Sequence, residues 1–141
     1  MKTNRFSNVA LTYDKHAEPQ RTLADSLGNL MPNCKPDKIL EIGSGTGILT
    51  QLLIDIYPRS NILGIDISPS MVNLCQKRFS NTNVSFELND VLSYSNINNY
   101  DIIASSSTLH WTNNLPYTLE KIYENLKPSG FFVLGMMLNG T

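Results

Sequence analysis

The apolar residues of this chain occur in two alternating patterns: short continuous runs, and longer stretches with an apolar residue every three or four positions. The short runs predict buried strands, and they lie at 38–42, 62–65, 84–87, 100–105 and 131–134. The longer stretches predict helices with one buried face, and they lie at 23–31, 48–56, 71–79 and 115–126. The polar, Asn-rich segment 93–99 is too short to predict a helix.

Strands that alternate with amphipathic helices indicate an α/β fold, in which parallel strands are joined by right-handed crossovers. We therefore expect a Rossmann-like, doubly wound sheet of about five parallel strands in the order 3-2-1-4-5, with a helix in front of it. Ligands of such sheets bind at the carboxyl edge, where the strand order reverses. We divide the chain into an N-terminal helical segment, 1–36, and a Rossmann-like domain, 37–141.

Local signals place the helix ends. Pro58 closes the second helix, and Ser68 followed by Pro69 predicts a capped start for the third. Lys127 suits the negative C-terminal end of the last helix, and the turn residues 128–130 lead into the final strand. Apolar residues are expected on the buried faces of the first and last helices: Leu23, Leu27, Leu30, Met31, Leu115, Leu119, Ile122, Tyr123 and Leu126.

Composition excludes several classes of function. The net charge of -1 and the pI near 6.1 give no basic surface for DNA or RNA. No apolar run approaches the length of a membrane span, and no signal peptide follows the mildly basic start, so we expect a cytoplasmic protein. Cys34 and Cys75 have neither zinc-site spacing nor a disulfide pattern, so no metal site is predicted.

The chemistry of the chain is concentrated in the turn that follows the first strand, Glu41 to Gly47. Its glycines permit positive φ angles and the close approach of a ligand to the backbone. The third glycine comes one residue too early for a dinucleotide fingerprint. The carboxylate of Glu41 would repel a pyrophosphate and attract a cation, which favours S-adenosyl-L-methionine. The alternative is a structural turn whose acid is paired elsewhere.

Further polar residues follow the other strands. Asp66 ends the second strand, where a carboxylate can accept both ribose hydroxyls, although a strand-end cap is a common use of Asp. Asp90 and Val91 follow the third strand, where they could hold an adenine ring or simply form a turn. Ser105 begins a run of hydroxyl residues after the fourth strand, which we expect to border the methyl-transfer centre.

The aromatic and histidine residues near these strands carry less information. A lone His110 is more often a packing residue than a base, and Trp111 is equally compatible with the core, so no catalytic residue is assigned. Tyr13, His16 and Gln20 precede the first strand and could fold over the ligand. Tyr13 would then face a sulfonium through a cation–π contact.

With these residues in view, the chain resembles the class I S-adenosylmethionine methyltransferases. Within that class, the stretch from Phe6 to Gln20, the run Leu109-His110-Trp111-Thr112 and the closing Gly140-Thr141 are similar to the malonyl-[acyl-carrier protein] O-methyltransferases of biotin synthesis. The resemblance implies S-adenosyl-L-methionine as cofactor. We expect these residues to contact it: Tyr13, Gln20, Glu41, Gly43, Ser44, Gly45, Gly47, Asp66, Ile67, Met71, Asp90, Val91 and Ser105.

The resemblance also implies methylation of the free carboxylate of a malonyl thioester on an acyl carrier protein. Ser44 departs from the family, in which a Cys often stands between the first two glycines. The chain also ends after the fifth strand, whereas the family continues with two strands and an insertion that carries the substrate-binding arginine. The alternatives are a methyltransferase for another small acid, and a truncated cofactor-binding domain without turnover.

Overall fold

The computed structural model describes residues 18–106 and 114–135. Helices and strands alternate through these two ranges, except that no helix lies between the third and fourth strands, as the apolar pattern predicts. The elements are α1 (Glu18–Leu30), β1 (Lys38–Ile42), α2 (Ile48–Ile56), β2 (Asn61–Asp66), α3 (Pro69–Arg78), β3 (Val84–Leu88), β4 (Tyr100–Ser106), α4 (Leu115–Asn125) and β5 (Leu126–Gly135).

The five strands form one parallel sheet in the order β3-β2-β1-β4-β5, which confirms the expected fold. The order reverses between β1 and β4, the two strands that lie on either side of the crevice in a doubly wound sheet. In register, Ile42 at the end of β1 pairs with Ile65 of β2 and with Ser105 of β4. The carboxyl ends of the three central strands therefore lie side by side.

Helices cover both faces of the sheet. On one face, Ile39 and Ile102 pack with Leu27 of α1 and with Leu53 of α2. On the other face, Ile122 of α4 packs in a second cluster made by these sheet and loop residues: Leu40, Ile42, Ile65, Val91, Tyr94, Tyr100 and Ile103. Because successive residues of a strand point to opposite faces, β1 contributes to both cores. The sheet is thus buried from both sides, as its continuous apolar runs require.

Two expected helix faces need correction. On α4 the buried residues are Thr118, Ile122 and Asn125, whereas Leu119 is 38% exposed and Tyr123 is 79% exposed. On α1 Leu27 is buried as expected, but Leu30 is 70% exposed. Spacing alone did not distinguish which of two overlapping apolar stripes turns inward, because that choice depends on how the helix is rotated against the sheet.

The start of β5 also differs from the expectation. Helix α4 ends at Asn125, so Lys127 does not stabilise the helix end; its ammonium donates instead to Asp101 at 3.0 Å. The residues 127–130 belong to β5 but bulge from the ladder, because Tyr100 pairs with Leu126 while Ile102 already pairs with Phe131. None of the helices in the described ranges is long and apolar enough to cross a bilayer.

Candidate functional site at the carboxyl edge of the sheet

The turn between β1 and α2, residues 43–47, is the centre of the candidate site. Gly43, Gly45 and Gly47 all have positive φ angles, of 74°, 54° and 94°, a region that L-residues with side chains rarely adopt. The backbone N–H groups of Gly43 and Ser44 both donate to the carbonyl of Ile65, at 2.8 and 3.1 Å. Gly47 donates to the carbonyl of Ser44 at 2.9 Å. The turn is therefore closed on itself and tied to β2.

Gly47 and Gly45 differ in the space around them. A Cβ on Gly47 would lie 2.4 Å from Cε2 of Phe79, so this glycine is required for packing between the turn and α3. A Cβ on Gly45 would meet no atom of the described residues within 4 Å. The turn thus presents Gly45 outward, where a ligand can approach the backbone without a side chain in its way.

Asp66, at the end of β2, connects the turns that follow three strands. Its Oδ2 accepts from the N–H of Gly45 at 2.9 Å, and its Oδ1 accepts from the N–H of Ser68 at 2.9 Å. The backbone carbonyl of Asp66 accepts from Asn89, in the turn after β3, at 3.0 Å. Asp66 therefore has the capping role that was one of its two expected uses. Within the described ranges each of its carboxylate oxygens keeps a lone pair for a further donor, and a ribose contact stays a prediction.

Glu41 is 1% exposed and lies on β1 between Gly64 and Ala104 of the neighbouring strands. The hydroxyl of Thr50, on α2, donates to its Oε1. Burial raises the pKa of Glu41 to about 8, with the negative charge of Asp66 adding to the rise and the Thr50 hydrogen bond opposing it. Near neutral pH the side chain is therefore mostly a neutral carboxyl rather than the carboxylate that its position in the sequence suggested.

Helix α3 holds the outer carbonyls of the turn. The thiol of Cys75 donates to the carbonyl of Gly45 at 3.1 Å, and the guanidinium of Arg78 donates to the carbonyl of Thr46 at 2.6 Å. Burial and the nearby Glu41 raise the pKa of the Cys75 thiol to about 12, so it stays protonated and remains a donor. Because the Asp66 carboxylate accepts from the N–H of Gly45, this glycine is hydrogen-bonded through both its N–H and its carbonyl.

Three hydroxyl side chains lie at the same edge. Ser105 is fully buried, and its Oγ donates to the carbonyl of Ile42 at 3.1 Å, which joins β4 to the start of the turn. The Oγ of Ser44 and the Oγ1 of Thr46 are buried and make no hydrogen bond of normal geometry within the described ranges, although Ser44 lies near the Cys75 thiol. Buried hydroxyls without partners are uncommon in folded proteins.

The other expected contact residues lie around this centre. Asp90 is exposed and caps a turn, since its Oδ1 accepts from Leu92 at 3.0 Å and its carbonyl accepts from Tyr94 at 2.9 Å. Val91 is 5% exposed and packs in the core cluster that contains Ile122 of α4. Ile67 follows Asp66 directly and is 73% exposed. Asp90 forms the turn that was one of its two expected roles; an adenine contact stays a prediction.

Met71 and the N-terminal residues complete the expected set. Met71 is half-buried in the first turn of α3, where its N–H donates to the Ser68 cap at 3.4 Å. Gln20 is half-buried in the first turn of α1, and its Oε1 is buried without a partner in the described part of the chain. Tyr13, His16, His110 and Trp111 lie outside the described residues.

Four residues of the site were not predicted from the sequence: Thr50, Cys75, Arg78 and Phe79. Thr50 had a recognisable sign, because it is a polar residue at 0% exposure on the buried face of an otherwise apolar helix. Cys75 and Phe79 were expected only to pack in the core. Nothing in the sequence indicated that Arg78 would contact the turn. Within the described ranges no group of His, Cys, Asp and Glu residues could hold a metal ion.

The hydrogen bonds of the turn determine which ligand it can accept. The N–H groups of Gly43, Ser44, Gly45 and Gly47 all donate to protein oxygens. A phosphate at such a turn is held by free N–H groups, which are not offered at these four positions. The open face at Gly45 and the neighbouring Asp66 carboxylate fit a ligand that brings its own donors and a positive charge instead.

Comparisons with known proteins agree with this arrangement. Residues 39–130 match the family model described as a methyltransferase domain. The chain is 39% identical over 140 residues to a malonyl-[acyl-carrier protein] O-methyltransferase of Priestia megaterium, covering 97% of this chain and 51% of the relative. It spans about half the length of the curated relatives it matches.

Solved structures share the fold. A Haloferax volcanii protein in complex with the Trm112 methyltransferase activator superposes with a TM-score of 0.78 at 26% identity, over 92% of this chain and 58% of that chain. A Methanococcus maripaludis protein described as an S-adenosyl-L-methionine-dependent methyltransferase superposes with a TM-score of 0.76 at 22% identity, over 93% and 62%.

Proposed function

Since the chain belongs to the methyltransferase-domain family, we propose that it binds S-adenosyl-L-methionine at the turn 43–47 and serves the transfer of its methyl group to a carboxylate. The observation that carries the cofactor assignment is the turn itself. Four of its N–H groups are bonded within the protein, it is open at Gly45, and the Asp66 carboxylate lies beside it. This set of groups suits a cationic, donor-rich ligand and does not suit a pyrophosphate.

Particular residues would hold particular parts of the cofactor. The free lone pairs on Asp66 suit the two ribose hydroxyls, and exposed Ile67 next to it offers an apolar surface to the adenine ring. Asp90 offers its second carboxylate oxygen to the adenine amine. The Oε1 of Gln20, which has no hydrogen-bond partner among the described residues, suits an N–H donor, and Tyr13 would face the sulfonium.

The remaining expected contacts lie along the turn and behind it. Ser105 would lie beside the methionine part of the cofactor, since its hydroxyl joins β4 to the end of β1. The other proposed contacts are Glu41, Gly43, Ser44, Gly45, Gly47, Met71 and Val91.

The methyl acceptor is proposed from the relatives. Priestia megaterium provides a relative named for the methylation of malonyl-[acyl-carrier protein], and the likeness covers almost the whole of this chain. We therefore assign the free carboxylate of a malonyl thioester as the acceptor and an acyl carrier protein as the partner. The expected location, the cytoplasm, agrees with a biosynthetic role.

Catalysis of this reaction needs little chemistry from the protein. When bound, the cofactor supplies a methyl group on a sulfonium, and an ionised carboxylate is already a competent acceptor without removal of a proton. The side chains at the carboxyl edge would hold the two reactants in line and exclude water. Such alignment can contribute roughly 7 to 11 kcal/mol to the lowering of a barrier.

A second candidate function rests on the described residues alone. The chain spans about half the length of its curated relatives, and the described residues hold the proposed cofactor site without an assigned acceptor site. A domain that binds the cofactor without turnover is therefore the alternative within the same family. A methyltransferase acting on another small acid would share the turn and differ only in the acceptor.

The experiment is a calorimetric titration with S-adenosylhomocysteine, followed by transfer of a radiolabelled methyl group to malonyl-acyl carrier protein and to free malonate. The full-length Priestia megaterium relative serves as the positive control. Binding with carrier-dependent transfer supports the main proposal. Binding without transfer supports the second candidate, and the absence of binding contradicts both.

A further inference from the structure

The side chain of Glu41 is enclosed by protein on all sides. It is 1% exposed, and the strands on either side of it place a glycine, Gly64, and an alanine, Ala104, at the paired positions. Thr50 donates a hydrogen bond to it from α2. The ion pairs of the described residues lie elsewhere and leave Glu41 without a cationic partner. The ionised form of a carboxyl group is strongly destabilised when it is buried without a cation, so such groups take up a proton.

Among the described ionisable groups around Glu41, one adds to this tendency: Asp66 at the end of β2 repels a negative charge on Glu41. On α3, Cys75 is a protonated thiol that is itself coupled to Glu41, and Arg78 acts on that thiol and bonds to the Thr46 carbonyl. Ser105 on β4 is neutral and bonds to Ile42. Both histidines of the chain, His16 and His110, lie outside the described residues.

Glu41 is also one residue away from the turn that the proposed cofactor would contact. It lies on β1 two positions before Gly43, and the Asp66 carboxylate that raises its pKa accepts a hydrogen bond from Gly45. A positive charge bound at the turn would therefore lie in the same electrostatic environment as Glu41. That charge would supply a cationic partner for Glu41, which the described residues do not provide.

We infer that Glu41 stands as a neutral carboxyl in the protein and gives up its proton when a cationic adenosyl ligand binds, so that cofactor capture is a proton exchange. This inference rests on the proposed function and adds the regulation of the same site. The reaction balances without a further reactant: the ligand brings a positive charge, the carboxyl becomes a carboxylate, and one proton passes to the solvent.

The pH dependence has a definite sign. Raising the pH favours the carboxylate and hence the ligand-bound protein, so affinity rises with pH and levels off once Glu41 is ionised in the free protein. The pKa of Glu41 near 8 locates that plateau. Below it, the dissociation constant falls by at most roughly tenfold for each pH unit.

The experiment is isothermal titration of the 141-residue chain with S-adenosyl-L-methionine, S-adenosylhomocysteine and 5′-methylthioadenosine. Titrations in phosphate and in Tris at each pH give the number of protons released, because the two buffers differ in their enthalpy of protonation. We expect about one proton released at neutral pH for the ligands that carry a cationic group. The third ligand, 5′-methylthioadenosine, lacks both the sulfonium and the charged amino group of the amino-acid part, so its binding should release no proton.

Variants separate this role from a structural one. Glu41→Gln keeps the shape of the side chain and should abolish both the proton release and the rise of affinity with pH. Thr50→Val removes the hydrogen bond that opposes the pKa rise, so the plateau should move to higher pH while binding persists. Glu120→Gln, at an exposed position of α4, is the matched control and should behave as the wild type.

The outcomes are distinguishable. Binding with a dissociation constant that does not change between about pH 6 and pH 9, and with no buffer dependence, overturns the inference and leaves the proposed function intact. Proton release on ligand binding by Glu41→Gln would also overturn the inference and leave the proposed function intact. Failure of all three ligands to bind at any pH overturns the proposed function together with the inference.

Discussion

The carboxylate of Asp66, at the end of β2, accepts a 2.9 Å hydrogen bond from the backbone N–H of Gly45, in the turn after β1. One side chain thereby fixes the conformation of a loop that belongs to another strand. Since the second carboxylate oxygen holds Ser68, the start of α3 is fixed by the same group. The shape of the proposed cofactor site therefore depends on a residue that the ligand is also expected to contact.

Replacing Asp66 should reduce ligand affinity more than its effect on folding would suggest. Asp66→Ala removes two hydrogen bonds, which costs about 1 to 3 kcal/mol of stability, and we expect at least a tenfold weaker binding of S-adenosylhomocysteine. Asp101→Ala is the control, because Asp101 also accepts two backbone N–H groups, those of Asp37 and Lys38, but at the opposite edge of the sheet. Equal affinity losses in the two variants would contradict a binding role for Asp66.

Gly45 and Gly47, two of the three glycines of the turn, should respond differently to alanine. Gly47→Ala places a methyl group 2.4 Å from Phe79 at a φ of 94°, so we expect a loss of several kcal/mol of stability. Gly45→Ala places its methyl group where no atom of the described part of the chain lies within 4 Å, so it should cost only about 1 kcal/mol for its φ of 54°. Denaturant unfolding and ligand titration check both variants. Gly45→Ala should fold and bind poorly; normal binding by this variant would show that the open face is not used.

Glu41 should make the protein less stable as the pH rises. Its pKa is about 8 in the folded protein against an ordinary value of 4.5, so the folded state keeps a proton that the unfolded chain loses between these values. The stabilising contribution is complete below about pH 4.5 and is lost as the pH rises to about 8. The slope is at most ~1.4 kcal/mol for each pH unit.

Glu41→Gln tests this slope directly. The variant should unfold with nearly the same free energy at all pH values in that range, and it should exceed the wild type in stability at the alkaline end. Urea unfolding curves measured at successive pH values give the comparison, with Glu120→Gln as the exposed control. A wild-type curve without the decline would show that Glu41 is ionised in the folded protein.

The two cysteines should differ strongly in reactivity. Cys34 is exposed, whereas Cys75 is fully buried, donates to the Gly45 carbonyl and has a pKa raised to about 12 by burial. Because the thiolate is the reactive form, iodoacetamide should label Cys34 at neutral pH and reach Cys75 only after unfolding. Mass spectrometry of the native wild type and of Cys34→Ser checks the assignment. Rapid labelling of native Cys34→Ser would show that the packing of α3 against the turn does not bury Cys75.

Much of the fold could be predicted from the sequence because it depends on local patterns. Four of the five strands were predicted close to their observed bounds, whereas β5 begins at Leu126, well before its expected start. The Ser68 cap was placed correctly, with its Oγ accepting from Met71. The buried face of α4 was not predicted correctly. Leu119 and Ile122 fit overlapping apolar stripes, and only packing against β4 and β5 selects between these stripes. Lys127 was misplaced for a similar reason, since its partner Asp101 is 26 residues away in the chain.

For the candidate site, the sequence by itself determined the glycine turn, the acid before it and the acid at the end of β2. These depend on φ angles and on strand ends, which are properties of short segments. Only the tertiary structure decided that Glu41 is enclosed with Thr50 and that α3 holds the turn through Cys75 and Arg78. The charge of a carboxyl group depends on the solvent and the neighbours that folding gives it, and these neighbours come from other elements of the chain.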